Sequence, residues 1–363
     1  MKNIDKLLNF VISNGGSDLH AAAGSRPMMR KNGILETTDF PYLTNSNVYE
    51  LMKEVLSQKE IQKFTSNADI DFIYHSEDLD QRFRANAFYQ KNGMSMVFRW
   101  IPKDIPSLKD LGFSESVKKV TKFHQGMVLV TGPSGCGKTT TMASLINLIN
   151  EERSLHIITV EEPVEYLHYN KNSLVVQREI GKDVDNFQTA LKAALREDPD
   201  VIVIGELRDL ETISLAITAA ETGHLVFGTM NTNDAIQTVD RIIDSYPPDQ
   251  QSQVRVMFSE SLKAVISQQL VPLQSGEGRT CAYELLIGNS SVANLIRDGK
   301  QYQIINTMAT GKKMGMQLMD NSLIDLVMAG KISLETAMEH SQNSSGLKDK
   351  YDKVMSAQQG GMR

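Results

Sequence analysis

The chain has few cysteines and no excess of positive charge. Only two of its 363 residues are cysteine, Cys136 and Cys281, and no CxxC pair occurs. A disulfide framework or a structural zinc site is therefore not expected, and a reducing compartment is the natural environment. The formal net charge is −6. This charge gives no basic field to hold a nucleic-acid backbone and disfavours a DNA or RNA motor.

Long apolar runs are lacking as well. The first residues, MKNIDKLLNFVISNGGSD, place Ile4, Leu7, Leu8 and Val11 on one face of an amphipathic helix. A signal peptide would have an unbroken apolar core instead, and no later stretch approaches the length that crosses a bilayer. Because no basic amphipathic helix is visible either, we expect a cytoplasmic protein that meets the membrane only through protein partners.

Length and composition indicate two globular domains. Hydrophobic residues make up 41% and charged residues 23% of the chain, as in soluble folded proteins. Residues 1–100 mix short strands with short helices, and 101–125, with two prolines and a lysine cluster, is expected to be a linker with a short helix. A second domain is predicted over 126–340. The polar, glycine-tipped stretch 341–363 is predicted to be a mobile tail.

Two strands are predicted near the end of the first domain. In QRFRANAFYQ, strict alternation puts Arg82 and Arg84 on one strand face and Phe83 and Ala85 on the other. KNG is a turn signal, and MSMVFRW then continues as a second strand carrying Arg99.

From Gly126 onward the pattern changes to that of a parallel sheet. Four short apolar runs, GMVLVTG, LHIITVEE, VIVIGE and HLVFGTM, are separated by helical stretches. One such helix begins at Phe187 and ends before EDPD. After Pro248 the chain is expected to be mostly helical, with RTCAYELLIG as a strand.

The stretch TGPSGCGKTTT, residues 131–141, fits a phosphate-binding loop between a strand and a helix. Its glycines let the backbone wrap around phosphate, and the helix N-terminus adds partial positive charge. Lys138 would bridge the β- and γ-phosphates of ATP, and Thr139 would hold Mg²⁺. A chance glycine-rich turn is disfavoured because strand, loop and helix occur in order. The predicted nucleotide-binding residues are Gly132, Ser134, Gly135, Cys136, Gly137, Lys138, Thr139 and Thr140.

Acidic residues follow two of the predicted strands. Glu206 ends VIVIGE, and Glu161 and Glu162 end TVEE. Acidic residues often follow strands because loops are solvated, but two such ends beside a phosphate loop favour a role in catalysis. His224, just before the fourth strand, is expected near the same edge. A structural and a catalytic role for this histidine both remain open.

Four stretches in this order carry a family resemblance: GPSGCGKTT, TVEEPVEY, ALREDPDVIVIGELRDLETI and AAETGHLVFGT. The chain resembles the secretion ATPases of the type II and type IV pilus class, in particular the type IV pilus retraction ATPases, from GGSDLH at 15–20 to NLIRD at 294–298. The resemblance implies a hexameric ring of two-domain α/β subunits. Each would have an N-terminal PAS-like α+β domain and a RecA-like P-loop ATPase domain with a mainly parallel sheet and a helical C-terminal part, with ATP between the two domains.

The resemblance also implies roles for particular residues. Glu161 matches the catalytic glutamate, Glu206 the glutamate of an atypical Walker B strand that would join Thr139 in holding Mg²⁺, and His224 the first histidine of a histidine box. Three N-terminal-domain arginines match family arginines that face the nucleotide, and a fourth matches one near the active site; a solvated strand face is an equally open reading for the first three. These arginines are Arg82, Arg84, Arg99 and Arg241.

The chain departs from the family pattern at four positions. Glu162 stands where the family usually has aspartate, and Asn231 replaces the second family histidine. Asparagine can hydrogen-bond a phosphate oxygen but cannot become a cation. In SSVANLIRD, Ala293 replaces an arginine and Asp298 a glutamate of an element tied to retraction. These changes put the direction or efficiency of the motor in question.

Three functions follow, in order of preference. The first is a cytoplasmic motor that couples ATP hydrolysis to type IV pilus retraction through a membrane platform protein, and so acts on the pilin fibre indirectly. The second is an accessory or extension-type pilus ATPase of the same fold. Extension enzymes usually carry a further N-terminal domain and a four-cysteine zinc module, for which this chain lacks the length and the cysteines. The third is a nucleic-acid translocase, against which the acidic composition argues.

Overall fold

A computed structural model describes residues 1–31 and 33–360, leaving out the side chains of 357–360. Within these residues, no helix is both long enough and apolar enough to span a membrane.

The chain forms two compact units. The first comprises Met1–Asp104 and the short segment Glu165–Leu167, and the second begins at Ile105 and contains the rest of the chain. The domain limits expected from the sequence, residues 100 and 126, lie on either side of this division.

The first unit is built on a six-stranded antiparallel sheet with the strand order β3-β2-β1-β6-β5-β4. The alternation in QRFRANAFYQ has its expected effect, since Phe83, Ala85 and Ala87 are buried. The hairpin predicted at KNG joins β5 and β6. The strands are β1 Asp18–Ala22, β2 Met28–Lys31, β3 Ile34–Thr37, β4 Asp69–Ser76, β5 Gln81–Gln90 and β6 Gly93–Ile101.

Three helices accompany this sheet. The first, α1, buries Ile4, Leu7, Leu8 and Val11, which are the apolar positions that predict it. Capping boxes at Thr44 and Ser57 define where the next two begin, because each side chain accepts a hydrogen bond from the backbone three residues on. The helices are α1 Asn3–Ser13, α2 Asn45–Val55 and α3 Gln58–Asn67.

The second unit contains a seven-stranded sheet with the order β13-β12-β7-β11-β10-β8-β9. All neighbouring pairs are parallel except β12 with β13. The four apolar runs predicted to be parallel strands are β7, β8, β10 and β11, which is confirmed. The strands are β7 Gly126–Thr131, β8 His156–Glu161, β9 Leu174–Glu179, β10 Val201–Ile204, β11 Leu225–Met230, β12 Leu262–Pro272 and β13 Arg279–Ile287.

Helices cover both faces of the second sheet. Alternate residues of β7 show this: Met127 and Leu129 join one apolar cluster, and Val128 and Val130 join another. Helix α5 packs in the second cluster, and α6 to α11 contribute to the first. The helices are α4 Glu115–Lys118, α5 Lys138–Glu152, α6 Phe187–Ala194, α7 Leu210–Glu221, α8 Ala235–Asp244, α9 Pro248–Ser261, α10 Ser290–Arg297, α11 Ile304–Thr310, α12 Met319–Met328, α13 Leu334–His340 and α14 Ser344–Gly360.

Parts of the second unit differ from the sequence-based expectation. Strand β12 lies in a region expected to be helical, and β9 was not predicted. In the expected linker, Leu108, Phe113 and Val117 are buried in the cluster that contains α5. The expected mobile tail forms α14, whose Leu347 is fully buried. Residues 361–363 of that tail lie outside the described residues, and its mobility remains a prediction.

One carboxylate is buried inside the second unit, Glu284 on β13, which is 9% exposed. Its Oε1 accepts a hydrogen bond from the backbone N–H of Ala235, at the start of α8, at 3.0 Å. Burial raises the pKa of Glu284 from 4.5 to about 7, and the nearby charge of Asp234 acts in the same direction.

This burial predicts a pH-dependent stability. Between pH 4.5 and pH 7 the unfolded chain has released the Glu284 proton and the folded chain has not, so stability falls as pH rises through this window. Glu284→Gln keeps an acceptor for Ala235 and removes the titration. From pH 4.5 to pH 8, the stability of the variant relative to wild type should therefore rise by about 2–3 kcal/mol, as measured by urea unfolding.

A matched control is Glu277→Gln, in the exposed turn between β12 and β13. It should leave the pH dependence of unfolding unchanged. A parallel pH dependence for wild type and Glu284→Gln would contradict the prediction.

Candidate functional site

The strand order of the second unit sets four segments side by side at one sheet edge. Strands β7, β11, β10 and β8 are consecutive neighbours and all parallel, so their carboxyl ends share this edge. The phosphate loop follows β7, Asn231 follows β11, Glu206 lies just beyond β10, and Glu161 ends β8. Ligands of open parallel sheets bind at such an edge.

The phosphate loop has a backbone that only glycine adopts readily. Gly132, Gly135 and Gly137 have φ values of +142°, +77° and +92°. A Cβ on Gly132 would lie 2.2 Å from the backbone oxygen of Gln268 on β12 and 2.6 Å from Cys136 Sγ. A Cβ on Gly135 would meet nothing within 4 Å. The loop is therefore packed against β12 at one glycine and open at another, which fits a cradle for phosphate.

Helix α5 begins directly after this loop, at Lys138. The N–H groups of its first turn have no intrahelical acceptor, and the helix dipole favours an anion there. Thr139 and Thr140 lie half-buried in this turn, and Ser134 is exposed on the loop. Cys136 is buried, and burial raises the pKa of its thiol, so it is a packing residue of the loop.

Gln268 of β12 binds the backbone of the phosphate loop, and the sequence did not predict this role. Its side chain is 2% exposed, and its Nε2 donates to the backbone oxygen of Cys136 at 2.8 Å. Next to it, Thr131 Oγ1 donates to Ser267 Oγ at 2.8 Å. The available signal was three consecutive polar residues, Ser-Gln-Gln, inside the otherwise apolar stretch AVISQQLV.

Consecutive side-chain hydrogen bonds connect the phosphate loop to Glu206, just beyond β10. Lys138 Nζ donates to the backbone oxygens of Gly132 and Pro133 and to Asn231 Oδ1, the last at 2.8 Å. Asn231 Nδ2 in turn donates to Glu206 Oε1 at 2.6 Å. Arg208 Nε lies 3.4 Å from the other Glu206 oxygen. The asparagine amide therefore joins the lysine of the loop to the glutamate.

Glu161 lies on the strand next to Glu206. The N–H of Gly205 donates to the backbone oxygen of Val160 at 2.8 Å, which brings the two strand ends together. Glu161 Oε1 accepts from Thr159 Oγ1 at 2.6 Å and from Gln177 Nε2, on β9, at 3.1 Å. Glu162 is exposed and immediately follows it.

The side-chain oxygens near the phosphate loop are suitable ligands for Mg²⁺. A hydroxyl at Thr139 and a carboxylate at Glu206 are the hard oxygen donors that this ion prefers. Both side chains are half-buried, and the glycine cradle with Lys138 suits the phosphates that would supply further oxygens. The residues therefore fit a magnesium–nucleotide complex.

His224 is not near this edge, so the expected position is wrong. It precedes β11, whose first residue pairs with Gly126 at the start of β7. The phosphate loop follows the other end of β7, roughly 17 Å of strand away. His224 Nδ1 lies 2.9 Å from the backbone oxygen of Ala219, consistent with a structural role at the end of α7. Because β11 and β7 are parallel neighbours, a residue that precedes β11 lies at the opposite end of the sheet from a loop that follows β7.

The three predicted arginines of the N-terminal domain all contact residues of the first unit. Arg82 donates to the backbone oxygen of Glu165 at 2.6 Å, and Arg84 lies 3.2 Å from its carboxylate. Arg99 Nε lies 2.8 Å from the buried Asp18. Their expected approach to the nucleotide remains a prediction.

Arg241 belongs to the second unit. It is exposed in the last turn of α8, and its predicted role near the active site remains a prediction too.

Comparison with known proteins gives a consistent set of relatives. The family model described as type II/IV secretion system protein matches residues 1–339. A type IV pilus retraction ATPase, PilT, of Pseudomonas aeruginosa is 44% identical over 337 residues, which are 93% of this chain and 97% of the relative. A twitching motility protein of Neisseria gonorrhoeae is 45% identical over 327 residues, 90% of this chain and 87% of that protein.

A solved structure is similar over nearly the same length. The crystal structure of the pilus retraction motor PilT with bound ADP has a TM-score of 0.88 and 45% sequence identity. The match covers 96% of this chain and all of that one. This chain therefore has the same α/β architecture as the PilT structure, with an N-terminal domain and a RecA-like ATPase core.

The packing of Gly132 predicts a specific effect on stability. Gly132→Ala places a Cβ against the backbone of β12 in a conformation that alanine avoids. We expect a loss of at least about 2 kcal/mol in the free energy of unfolding, as measured by urea titration.

The control is Gly112→Ala, at φ +84° with nothing within 4 Å of the added Cβ. This variant has the backbone strain without the collision and should lose only about 1 kcal/mol. Equal losses in the two variants would show that the contact with β12 does not constrain the loop.

Proposed function

The chain belongs to the type II/IV secretion system protein family, and from this premise we propose that it hydrolyses ATP to drive the retraction of type IV pili. One observation supports ATP hydrolysis most directly: Lys138 of the phosphate loop and Glu206 at the end of β10 both bind the side chain of Asn231. The groups that contact phosphate and metal in such ATPases are thus coupled through one amide.

The phosphate loop binds the nucleotide. Its inward-facing backbone N–H groups and the N-terminus of α5 bind the phosphates, and Lys138 exchanges its carbonyl partners for β- and γ-phosphate oxygens. Thr139 and Glu206 would hold Mg²⁺. When bound, this ion neutralises charge that develops on the phosphate oxygens.

Glu161 is the general base of the reaction. Its carboxylate accepts a proton from a water molecule as the water oxygen attacks the γ-phosphorus of ATP. The bond from this phosphorus to the β,γ-bridging oxygen breaks, which gives ADP and phosphate. Thr159 and Gln177 orient the Glu161 carboxylate for this step, because a base must be held within hydrogen-bond reach of the proton it accepts.

The working assembly is a homo-hexameric ring at the cytoplasmic face of the membrane. It contacts an inner-membrane platform protein and acts on the pilin fibre indirectly, and it binds no nucleic acid. Within the ring, the guanidinium groups of Arg82, Arg84, Arg99 and Arg241 add positive charge near the phosphates. Differential binding worth about 5.5 kcal/mol is enough to shift a two-state hinge fully, so nucleotide binding can close a subunit.

Retraction is favoured over fibre assembly by the relatives. Proteins named for retraction and twitching are 44% and 45% identical, and each aligns over most of its own length. Ala293 lies in α10 and Asp298 directly follows this helix, so the direction of the motor is tested by counting surface pili.

The experiment is the number of surface pili on cells whose native copy carries Lys138→Ala. The change removes the contact to the phosphates and leaves the apolar core untouched, so ATP use stops. We expect several-fold more pili than in wild type, counted by electron microscopy. The purified Glu206→Gln variant should lose at least about 100-fold in ATP turnover.

The matched control is Lys192→Ala, a lysine of α6 whose partner is the exposed Glu211. It should leave both pilus number and turnover at the wild-type level. Fewer pili in Lys138→Ala cells would show that the ring builds fibres. Negligible wild-type turnover would favour an accessory ATPase, and turnover that requires DNA or RNA would favour a translocase.

A further inference from the structure

We propose that Gln177, on β9, is a positioning residue for ATP hydrolysis, because its side-chain amide fixes the carboxylate of Glu161. The inference rests on the role proposed above for Glu161 as general base. It assigns a function to a strand that contains no nucleotide motif.

The register of the sheet places the three side chains on one face. Thr159 of β8 pairs with Gln177 of the parallel strand β9, and Glu161 follows two residues after Thr159. Residues two apart in a strand point to the same side, and so do directly paired residues of neighbouring strands. Thr159, Glu161 and Gln177 therefore share one face at the carboxyl end of β8.

Two donors converge on one oxygen of the glutamate. Thr159 Oγ1 donates to Glu161 Oε1 at 2.6 Å, and Gln177 Nε2 donates to the same oxygen at 3.1 Å. A single hydrogen bond would leave the carboxylate able to swing about its last torsion, which is broad. Two donors from adjacent strands restrict that torsion and fix where the carboxylate points.

The orientation of Gln177 is itself fixed. Its Oε1 accepts from the backbone N–H of His168 at 2.8 Å. Because a backbone N–H can only donate, the oxygen end of the amide must face His168 and the NH₂ end must face Glu161. The segment after β8 thus holds the amide, the amide holds the carboxylate, and Gln177 acts on the reaction through Glu161.

Two substitutions separate this role from simple anchoring of the segment. Gln177→Met keeps the length of the side chain and removes the hydrogen bonds to His168 and Glu161. Gln177→Glu keeps an acceptor for the His168 N–H but turns a carboxylate toward Glu161, where the two like charges repel. We expect kcat for ATP to fall about 10-fold in the Met variant and about 30-fold or more in the Glu variant. KM should stay within about twofold in both variants, because the nucleotide contacts are untouched.

Which of the two variants has the lower kcat distinguishes positioning of Glu161 from anchoring of the segment. If Gln177 only anchors the segment, Gln177→Glu retains near wild-type kcat and Gln177→Met does not. That order would overturn the inference, and so would a rise in KM with unchanged kcat in either variant.

Gln301→Met is the matched control. Its amide is bracketed in the same way, accepting from Arg255 at 3.2 Å and donating to the carboxylate of Asp240 at 2.7 Å, away from the strand ends. Loss of these two hydrogen bonds should leave kcat unchanged. A 10-fold fall in kcat in this control as well would show that the Gln177 effect is general destabilisation, which would overturn the inference.

A combined variant tests the route of action. Adding Gln177→Met to Glu161→Gln should cause no further loss of kcat, since the amide acts only through that carboxylate. A further 10-fold loss would overturn the inference. Wild-type activity in Glu161→Gln alone would instead show that the proposed base is wrong. Loss in Glu161→Gln together with wild-type activity in both Gln177 variants would overturn the inference alone.

Discussion

Parallel pairing in the second sheet is the constraint on which the rest of the site depends. Parallel strands must all run the same way, so whatever follows each strand is delivered to one edge. The register of β7, β11, β10 and β8 therefore determines that a glycine loop, an amide and two carboxylates become neighbours. The helices that cover both faces keep this register, because a slip would turn buried side chains toward the opposite helical layer.

Polar contacts then refine what the backbone brings together. The loop lysine, Asn231 and Glu206 form one connected set, and Thr159, Gln177 and Glu161 form another. Each set joins residues from at least two segments of the second sheet or the loops that follow its strands, so neither set forms before those strands have paired. The chemistry is thus a property of the assembled fold.

The sequence predicted the parts of the fold that have a strong local pattern. Four apolar runs were correctly predicted to be parallel strands, and the glycine-rich loop and the two glutamates lie at the carboxyl ends of such strands as expected. Strand β9, LVVQRE, was missed because its polar half breaks the apolar run, and β12 was missed because a long mixed segment has no clear period. Gln177 and Gln268 are defined by cross-strand partners, which a single sequence does not show. His224 was misplaced because closeness along the chain was taken for closeness in space.

The link through Asn231 has a consequence for how the motor responds to its surroundings. An amide does not gain or lose a proton between pH 5 and pH 8, whereas an imidazole at that position would change its charge there. The amide of Asn231, which joins Lys138 to Glu206, therefore stays neutral when the cell interior acidifies. A histidine in the place of Asn231 could become a cation in this pH range, and the amide cannot.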